Sequence, residues 1–185
     1  AGSTKRAIVE ALDPADGSEL RFVGSHPLAG GERTGVEAAE GNLLQGRWVI
    51  VTPTPRTPGD RLAKVHSFWR SLGARTTDMA AAEHDAVVAR ISHLPHVVAS
   101  VLAGATSDEH LMWVASGWCD STRIAAGDPA LWVEILRQNS DQIDAALDRF
   151  GDRLETMRQA IRARDWVRVA ELLTEGKRRR DALGS

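Results

Sequence analysis

The residues best suited to acid–base chemistry are histidines in two short segments. His26 stands in a glycine-rich stretch, Gly24-Ser25-His26-Pro27-Leu28-Ala29-Gly30. An imidazole has an ordinary pKa of about 6.5, so a histidine here can accept a proton at neutral pH. The same stretch also fits a surface turn in which the glycines serve only the backbone. Position alone leaves both interpretations open.

A second histidine pair lies in Ser92-His93-Leu94-Pro95-His96. The two rings are three residues apart and can share one face of a helix. A zinc site needs further ligands, and the single cysteine of the chain, Cys119, is distant in sequence. Two polar rings beside a proline in an apolar helix therefore indicate either a buried polar pocket or ordinary helix-packing histidines.

A third segment, Asp120-Ser121-Thr122-Arg123-Ile124-Ala125, places an arginine between smaller residues. The planar guanidinium of Arg123 suits two parallel hydrogen bonds to a carboxylate ligand, and it could equally pair with Asp120. The following Asp128-Pro129 is typical of a helix start, with the aspartate as N-cap and the proline at the first helical position.

Three β-rich runs predict the strands that position these segments: Leu20–Val23, Trp48–Thr52 and Arg75–Thr77. The second run is almost continuously apolar, which is typical of a parallel strand covered on both faces. A helical pattern that ends at Gly73 joins the second and third runs, so we predict a βαβ unit. His26 is then expected just after the first strand, at the carboxyl edge of a parallel sheet, where ligands bind.

The pattern from Met79 onward is helical. The run Ala80–Gly104 is apolar nearly all round, so we expect a buried helix, kinked where Pro95 removes a backbone hydrogen bond. Apolar residues from 143 to 161 follow heptad spacing, which is typical of long packed helices. Asp165 is placed to cap a final helix.

Composition excludes several classes of protein. The chain has 185 residues, 43% of them hydrophobic and 26% charged, with a net charge of −2. These values are typical of a soluble globular protein and not of a nucleic-acid binder, and no apolar run approaches the about 18 residues of a membrane span. The expected partners are small molecules or protein surfaces. The single cysteine favours a cytoplasmic location. No Gly-x-Gly-x-x-Gly, P-loop or serine-hydrolase motif is present.

Taken together and in order, four short segments resemble the prephenate/arogenate dehydrogenase family. They are Gly2–Lys5, Gly24–Gly30, Ser92–His96 and Asp120–Trp132. The resemblance implies the C-terminal part of a Rossmann-type dinucleotide-binding domain over residues 1–78. It implies an all-helical substrate-binding and dimerisation domain over residues 79–185, for a chain that is mainly α overall. Since the sequence starts at Ala1 without the glycine fingerprint, we expect about 70–100 further residues of the nucleotide-binding half to precede it.

The resemblance implies oxidative decarboxylation of prephenate to 4-hydroxyphenylpyruvate in tyrosine biosynthesis, with NAD or NADP as cofactor and arogenate as the alternative substrate. In that reaction His26 is expected to accept the proton of the C4 hydroxyl, and Ser3 to hydrogen-bond the same hydroxyl. Ser3 and Pro27 are expected beside the cofactor. Arg123 is expected to hold the ring carboxylate, and His96 to lie near the pyruvyl side chain.

Further residues are placed around the pocket by the same resemblance: Trp132 and Gly117 line it, and Glu32 lies at its mouth. Cys119 stands where some relatives carry a basic residue, so the choice between prephenate and arogenate stays open. The resemblance implies a homodimer. A hypothesis of another class treats the isolated chain as a non-catalytic helical dimerisation module, because the heptad spacing is present and the dinucleotide fingerprint is not.

Overall fold

The computed structural model describes residues 2–12, 22–30 and 40–184, and the structural statements below concern these residues. The chain divides into two compact units, Ala1–Ile143 and Asp144–Ser185, which are described separately. Glu32, expected at the pocket mouth, lies outside the described residues. The first unit contains the sheet and all the histidines.

The sheet has three strands in the order β1-β2-β3: β1 is Gly24–Pro27, β2 is Trp48–Thr52 and β3 is Arg75–Asp78. The apolar β2 lies in the middle, with its residues from Val49 onward buried. Helix α2, Gly59–Ser71, connects β2 to β3, and these two strands pair in parallel. The predicted βαβ unit is thereby confirmed.

The first strand differs from the prediction. Leu20 and Arg21 lie outside the described residues, Phe22 and Val23 are not in a strand, and β1 begins at Gly24. β1 runs antiparallel to β2, with His26 opposite Ile50. The expectation that His26 follows a strand at the carboxyl edge of a parallel sheet is therefore wrong, because its backbone is itself part of an antiparallel ladder.

Helix α1, Arg6–Leu12, precedes the sheet, and a long helical run follows it. That run consists of α3, Ala81–Val88, a π-helical turn, Ala89–His93, and α4, Leu94–Gly104. Within the π turn the N–H of Leu94 donates to the carbonyl of Ala89. This wider turn lies immediately before Pro95, where a regular α-helix would press the proline ring against a carbonyl one turn earlier. The expected disruption at the proline is a π turn.

The run Ala81–Gly104 is only partly buried. Ile91 and Val101 are 60% and 65% exposed, so the expectation of a helix buried on all sides is wrong. Contrary to the sequence-based expectation, this run is long and apolar enough to meet the length and composition of a membrane span. Its buried groups include His84 and Asp85, which hydrogen-bond to other elements, as in the core helix of a globular domain.

The first unit continues through short helical segments. A 3₁₀ turn, Asp108–Trp113, precedes α5, Ser116–Thr122, a second 3₁₀ turn, Arg123–Ala126, and α6, Pro129–Gln138. Asp128 accepts a hydrogen bond from the N–H of Ala130 at 2.9 Å, which confirms it as the N-cap of α6. Helix α7, Ser140–Arg162, begins in this unit and supplies part of the second.

The second unit contains the rest of α7 and helix α8, Trp166–Asp181. Asp165 accepts a hydrogen bond from the N–H of Arg168 at 2.9 Å, which confirms it as the N-cap of α8. The carboxylate of Glu175 joins the two helices, because it pairs with Arg153 at 2.5 Å and with Arg179 at 2.7 Å. On α7, two members of the heptad pattern, Leu154 and Ile161, are 57% and 49% exposed.

Candidate active site

A pair of imidazoles, one buried and one half-buried, forms the centre of the candidate site. Nδ1 of His26, on β1, lies 2.8 Å from Nε2 of His84, on α3, and the two rings meet edge to face. His84 is fully buried. Its other nitrogen, Nδ1, lies 2.7 Å from Oδ1 of the neighbouring Asp85. An unbroken line of hydrogen bonds thus connects a carboxylate to His26 through a second histidine.

The carboxylate of Asp85 is fully occupied by donors. Oδ1 accepts the N–H of Lys5 at 2.8 Å and Oδ2 accepts the N–H of Arg6 at 2.9 Å, so Asp85 caps the first turn of α1. Burial acts to raise the pKa of Asp85, but hydrogen bonds from His84 and from these two N–H groups outweigh it, and the pKa lies below its ordinary value. Asp85 is therefore ionised at neutral pH.

Lys5 contributes a buried amine to the same cluster. Its Nζ donates to the carbonyl of Thr4 at 3.1 Å and also to the carbonyl of Gly2. Burial lowers the pKa of Lys5 to about 8, while the charge of Asp85 opposes this shift. The ammonium group is still mainly charged at pH 7, so it adds a positive charge beside the histidines.

His26 is held in its neutral form. Burial, followed by the positive charge of Lys5, lowers the pKa of His26 to about 3. A neutral imidazole has one nitrogen that accepts a hydrogen bond and one that donates. Because His26 stays unprotonated at neutral pH, one of its nitrogens is available to take a proton.

A second line of contacts runs from Asp85 to His93. The side-chain amide of Asn139 donates to the backbone carbonyl of Asp85 at 2.8 Å and lies 3.3 Å from Nδ1 of His93. Burial lowers the pKa of His93 to about 4. Its Nε2 is buried and has no hydrogen-bond partner among the residues that the structure describes, so this atom is available to a polar group of a ligand.

His96 and Trp132 form a stacked pair at the other end of the cluster. Their ring centroids are 3.5 Å apart and their planes differ by 9°, and His93 meets the same indole edge to face. Burial lowers the pKa of His96, while a hydrogen bond to the backbone of Ile124 opposes the shift. Nδ1 of His96 is buried and has no hydrogen-bond partner in the described part of the chain. His93 in the π turn and His96 on α4 therefore both lie against the indole of Trp132, which belongs to α6.

The other described residues predicted from the sequence are Ser3, Pro27, Arg123 and Gly117, and their positions relative to this cluster differ. Ser3 directly precedes Thr4 and Lys5, and Pro27 follows His26 in β1. Arg123 begins the 3₁₀ turn whose Ile124 bonds to His96. Gly117 lies on the exposed part of α5, where its carbonyl accepts a hydrogen bond from Ser121 at 2.7 Å.

Four residues of the cluster were missed from the sequence: Lys5, His84, Asp85 and Asn139. His84 and Asp85 form a polar pair inside a run dominated by apolar residues, and that interruption was the available signal. Lys5 belongs to a segment chosen for Ser3, and a buried lysine is rare enough that surface exposure was the natural assumption. Asn139 carries no local signal, because its partners lie at residues 85 and 93.

Comparison with known families covers nearly the whole chain. A family model described as "Prephenate dehydrogenase, nucleotide-binding domain" matches residues 1–78. A second model, described as "Prephenate dehydrogenase, dimerization domain", matches residues 80–175.

Two curated relatives show how far the likeness extends. Cyclohexadienyl dehydrogenase of Zymomonas mobilis is 35% identical over 98% of this chain, which corresponds to 64% of that protein. Prephenate dehydrogenase of Bacillus subtilis is 33% identical over 98% of this chain and 51% of its own length. The chain thus spans about half to two thirds of the length of these relatives.

Solved structures give the same result. The crystal structure of prephenate dehydrogenase from A. aeolicus, in complex with hydroxyphenyl propionate and NAD+, superposes with a TM-score of 0.87 at 35% identity, over 98% of this chain and 65% of that one. The crystal structure of Synechocystis arogenate dehydrogenase superposes with a TM-score of 0.83 at 29% identity, over 99% of this chain and 68% of that one.

Proposed function

The chain belongs to the prephenate dehydrogenase family, and we propose that it carries the substrate-binding and proton-accepting part of an NAD(P)-dependent prephenate dehydrogenase. The observation that supports this most strongly is the neutral, half-buried His26, whose Nδ1 hydrogen-bonds to His84. The relative solved with hydroxyphenyl propionate and NAD+ binds an aromatic carboxylic acid together with a dinucleotide, which is the ligand pair that this reaction requires.

The proposed reaction converts prephenate into 4-hydroxyphenylpyruvate and carbon dioxide. The nicotinamide, when bound, takes the hydride that leaves C4 of the ring. His26 takes the proton of the C4 hydroxyl as the C–O bond becomes a carbonyl. Loss of the ring carboxylate as carbon dioxide then sends its electron pair through the ring to the C4 oxygen, which takes up a proton as the phenol forms. When prephenate is bound, its two carboxylates add negative charge near His26, which raises the pKa of the imidazole and favours proton transfer to it.

The other assignments concern binding. We propose that Arg123 holds the ring carboxylate through its two parallel N–H groups. His96 and Trp132, as a stacked pair, form a flat wall for the pyruvyl side chain. By resemblance to the family, we assign Gly117 to the pocket lining and Glu32 to the pocket mouth. The buried nitrogens His93 Nε2 and His96 Nδ1, which have no partner within residues 2–12, 22–30 and 40–184, support a polar ligand at this end of the cluster.

The chain contains residues suited to bind the nicotinamide ring of the cofactor, but it lacks the glycine motif that binds the cofactor's phosphates. Ser3 lies two residues before Lys5, and Pro27 directly follows His26. We assign Ser3 and Pro27 to the neighbourhood of the nicotinamide. The 185 residues contain no Gly-x-Gly-x-x-Gly to hold a pyrophosphate. Gly24 is not a cradle for a ligand, because a Cβ at this position would lie 2.2 Å from Oγ1 of Thr52.

A homodimer is the proposed assembly, formed through the helical part of the chain. The family model that matches residues 80–175 describes a dimerization domain. Apolar side chains are exposed on several of its helices, and Val101 on α4 and Leu154 on α7 are 65% and 57% exposed. We also propose a cytoplasmic location, which agrees with the free thiol of Cys119.

Arogenate is the second candidate substrate, favoured by the likeness to Synechocystis arogenate dehydrogenase. The test is to assay the complete gene product with prephenate and with arogenate, each in the presence of NAD+ or NADP+, and to follow reduced nicotinamide. Turnover of prephenate at the higher kcat/KM supports the proposal. Turnover of arogenate alone reassigns the substrate, and turnover of neither substrate with either cofactor rejects the proposed activity.

A further inference from the structure

The hydrogen-bond line that ends at His26 has only one arrangement of protons that leaves every buried partner satisfied without adding a charge. Asp85 is ionised and already accepts two backbone N–H groups, so it can only accept from His84. The proton between Asp85 and His84 therefore belongs to Nδ1 of His84, 2.7 Å from the carboxylate oxygen.

The second contact of His84 follows from the first. A neutral ring that carries its proton on Nδ1 has a lone pair on Nε2. This Nε2 lies 2.8 Å from Nδ1 of His26, so the proton between the two rings must come from His26. Nε2 of His26 is then left with a lone pair, free to accept a proton.

The competing arrangement places a charge where burial opposes it. If His84 were doubly protonated it would donate to His26, and Nε2 of His26 would carry a proton and could not act as an acceptor. His84 is fully buried. The positively charged Lys5 lies in the same cluster, and the charge of Asp85 already acts to stabilise the ammonium group of Lys5. A second buried cation beside one carboxylate is disfavoured by desolvation and by repulsion from Lys5.

We propose that Asp85 and His84 are positioning residues that fix the tautomer of His26, with the proton on Nδ1 and the lone pair on Nε2. This inference rests on the proposed role of His26 as proton acceptor. Neither residue touches the substrate in this account. Asp85 acts through His84, and His84 acts through Nδ1 of His26.

The same carboxylate also fixes the position of the line. Asp85 caps α1 through the N–H groups of Lys5 and Arg6, and its backbone carbonyl accepts from Asn139 at 2.8 Å. Asp85, on α3, therefore connects that helix to α1 and to Asn139. This leaves Asp85 little freedom to rotate, which keeps His84 at hydrogen-bond distance from His26.

The direct test is nitrogen NMR of the imidazole rings in the 185-residue chain at neutral pH, with ring signals assigned from His26→Asn and His84→Gln. The account predicts a proton on Nδ1 and none on Nε2 in both His26 and His84. A proton on Nε2 of His26 overturns it. Because this readout needs neither substrate nor cofactor, it is independent of whether the protein oxidises prephenate.

The variant Asp85→Asn supplies the second test. Its amide offers one acceptor oxygen where the carboxylate accepted N–H groups from Lys5, Arg6 and His84, so the proton on Nδ1 of His84 is no longer favoured and a fraction of His26 should carry its proton on Nε2. Turnover by the complete gene product should then fall about 10²- to 10⁴-fold with KM nearly unchanged. Where this variant does not fold, the tautomers of the unmodified chain decide the question.

Asp141→Asn is the matched control. Asp141 receives both N–H groups of Arg6 at 2.8 and 2.9 Å, so its loss also weakens the anchoring of α1 without touching the histidines. It should leave tautomers and turnover unchanged. An equal loss of turnover in both variants overturns the proposed positioning role of Asp85 and His84, and assigns the effect to the anchoring of α1. Predicted tautomers without turnover of either substrate reject the proposed function and leave the tautomer assignment standing.

Discussion

His26 and His84 share a part-buried hydrogen bond of 2.8 Å between two ring nitrogens, one of which is a donor and the other an acceptor. Such a bond exists only while at least one of the facing nitrogens is unprotonated. Protonation of both facing nitrogens therefore breaks it and buries an additional charge. This relationship connects the chemistry of the site to the stability of the fold.

Acid should destabilise the protein well above the pH at which carboxylates titrate. The folded-state pKa values of His26 and His93, about 3 and about 4, lie below their ordinary value in an unfolded chain. Between these values and about pH 6.5 the unfolded state binds more protons, so stability falls as the pH falls through this window. Each histidine should contribute up to about 1.4 kcal/mol per pH unit.

Urea unfolding of the 185-residue chain at several pH values between pH 4.5 and pH 7 measures this slope. The free energy of unfolding should fall steadily with acidification, and the variant His26→Asn should show a slope smaller by about one proton. A free energy of unfolding that stays constant across this range would show that the histidines are not held neutral by the fold.

Gly24→Ala should weaken the fold beside the site. A Cβ at this position would lie 2.2 Å from Oγ1 of the buried Thr52 and 3.2 Å from Cδ of Lys5. Because Thr52 is held in the central strand, the strand pair must separate, at a cost of about 1–3 kcal/mol. Gly41→Ala, where a Cβ meets nothing within 4 Å, is the control. Equal urea midpoints for the two variants would refute the close packing of Gly24.

Leu154→Glu should convert the proposed dimer into a monomer. Leu154 is 57% exposed and belongs to the heptad pattern of α7, so a carboxylate placed there would be buried by a partner helix. Gln159→Glu adds the same charge on the same helix outside the pattern. Light scattering on the 185-residue chain should show a dimer for the unmodified and Gln159→Glu proteins. A dimer that survives Leu154→Glu excludes this face from the interface.

Some features were predictable because local chemistry decides them. The strand Trp48–Thr52 follows from a continuous apolar run, and the helix starts at Asp128 and Asp165 follow from short side chains that accept a backbone N–H. Gly73 has a φ of 81°, a conformation that glycine adopts freely after a helix. Each of these depends on neighbours within a few residues.

The errors and omissions concern contacts between distant residues. Nothing local to His26 specifies an antiparallel partner, and the pairing depends on β2 more than twenty residues later. The line from Asp85 to His26 joins α3 to β1, so its members could not be grouped by spacing alone. The π turn before Pro95 illustrates the same limit, since proline predicts a disruption but not how neighbouring carbonyls are satisfied.

Steady-state kinetics of His26→Asn in the complete gene product test directly whether His26 accepts a proton during turnover. We expect kcat to fall by about 10²- to 10⁴-fold while prephenate affinity changes little. Arg123→Ala, measured alongside, should instead mainly raise KM, because its proposed role is to bind a carboxylate. A His26→Asn enzyme that retains the unmodified kcat would contradict the account.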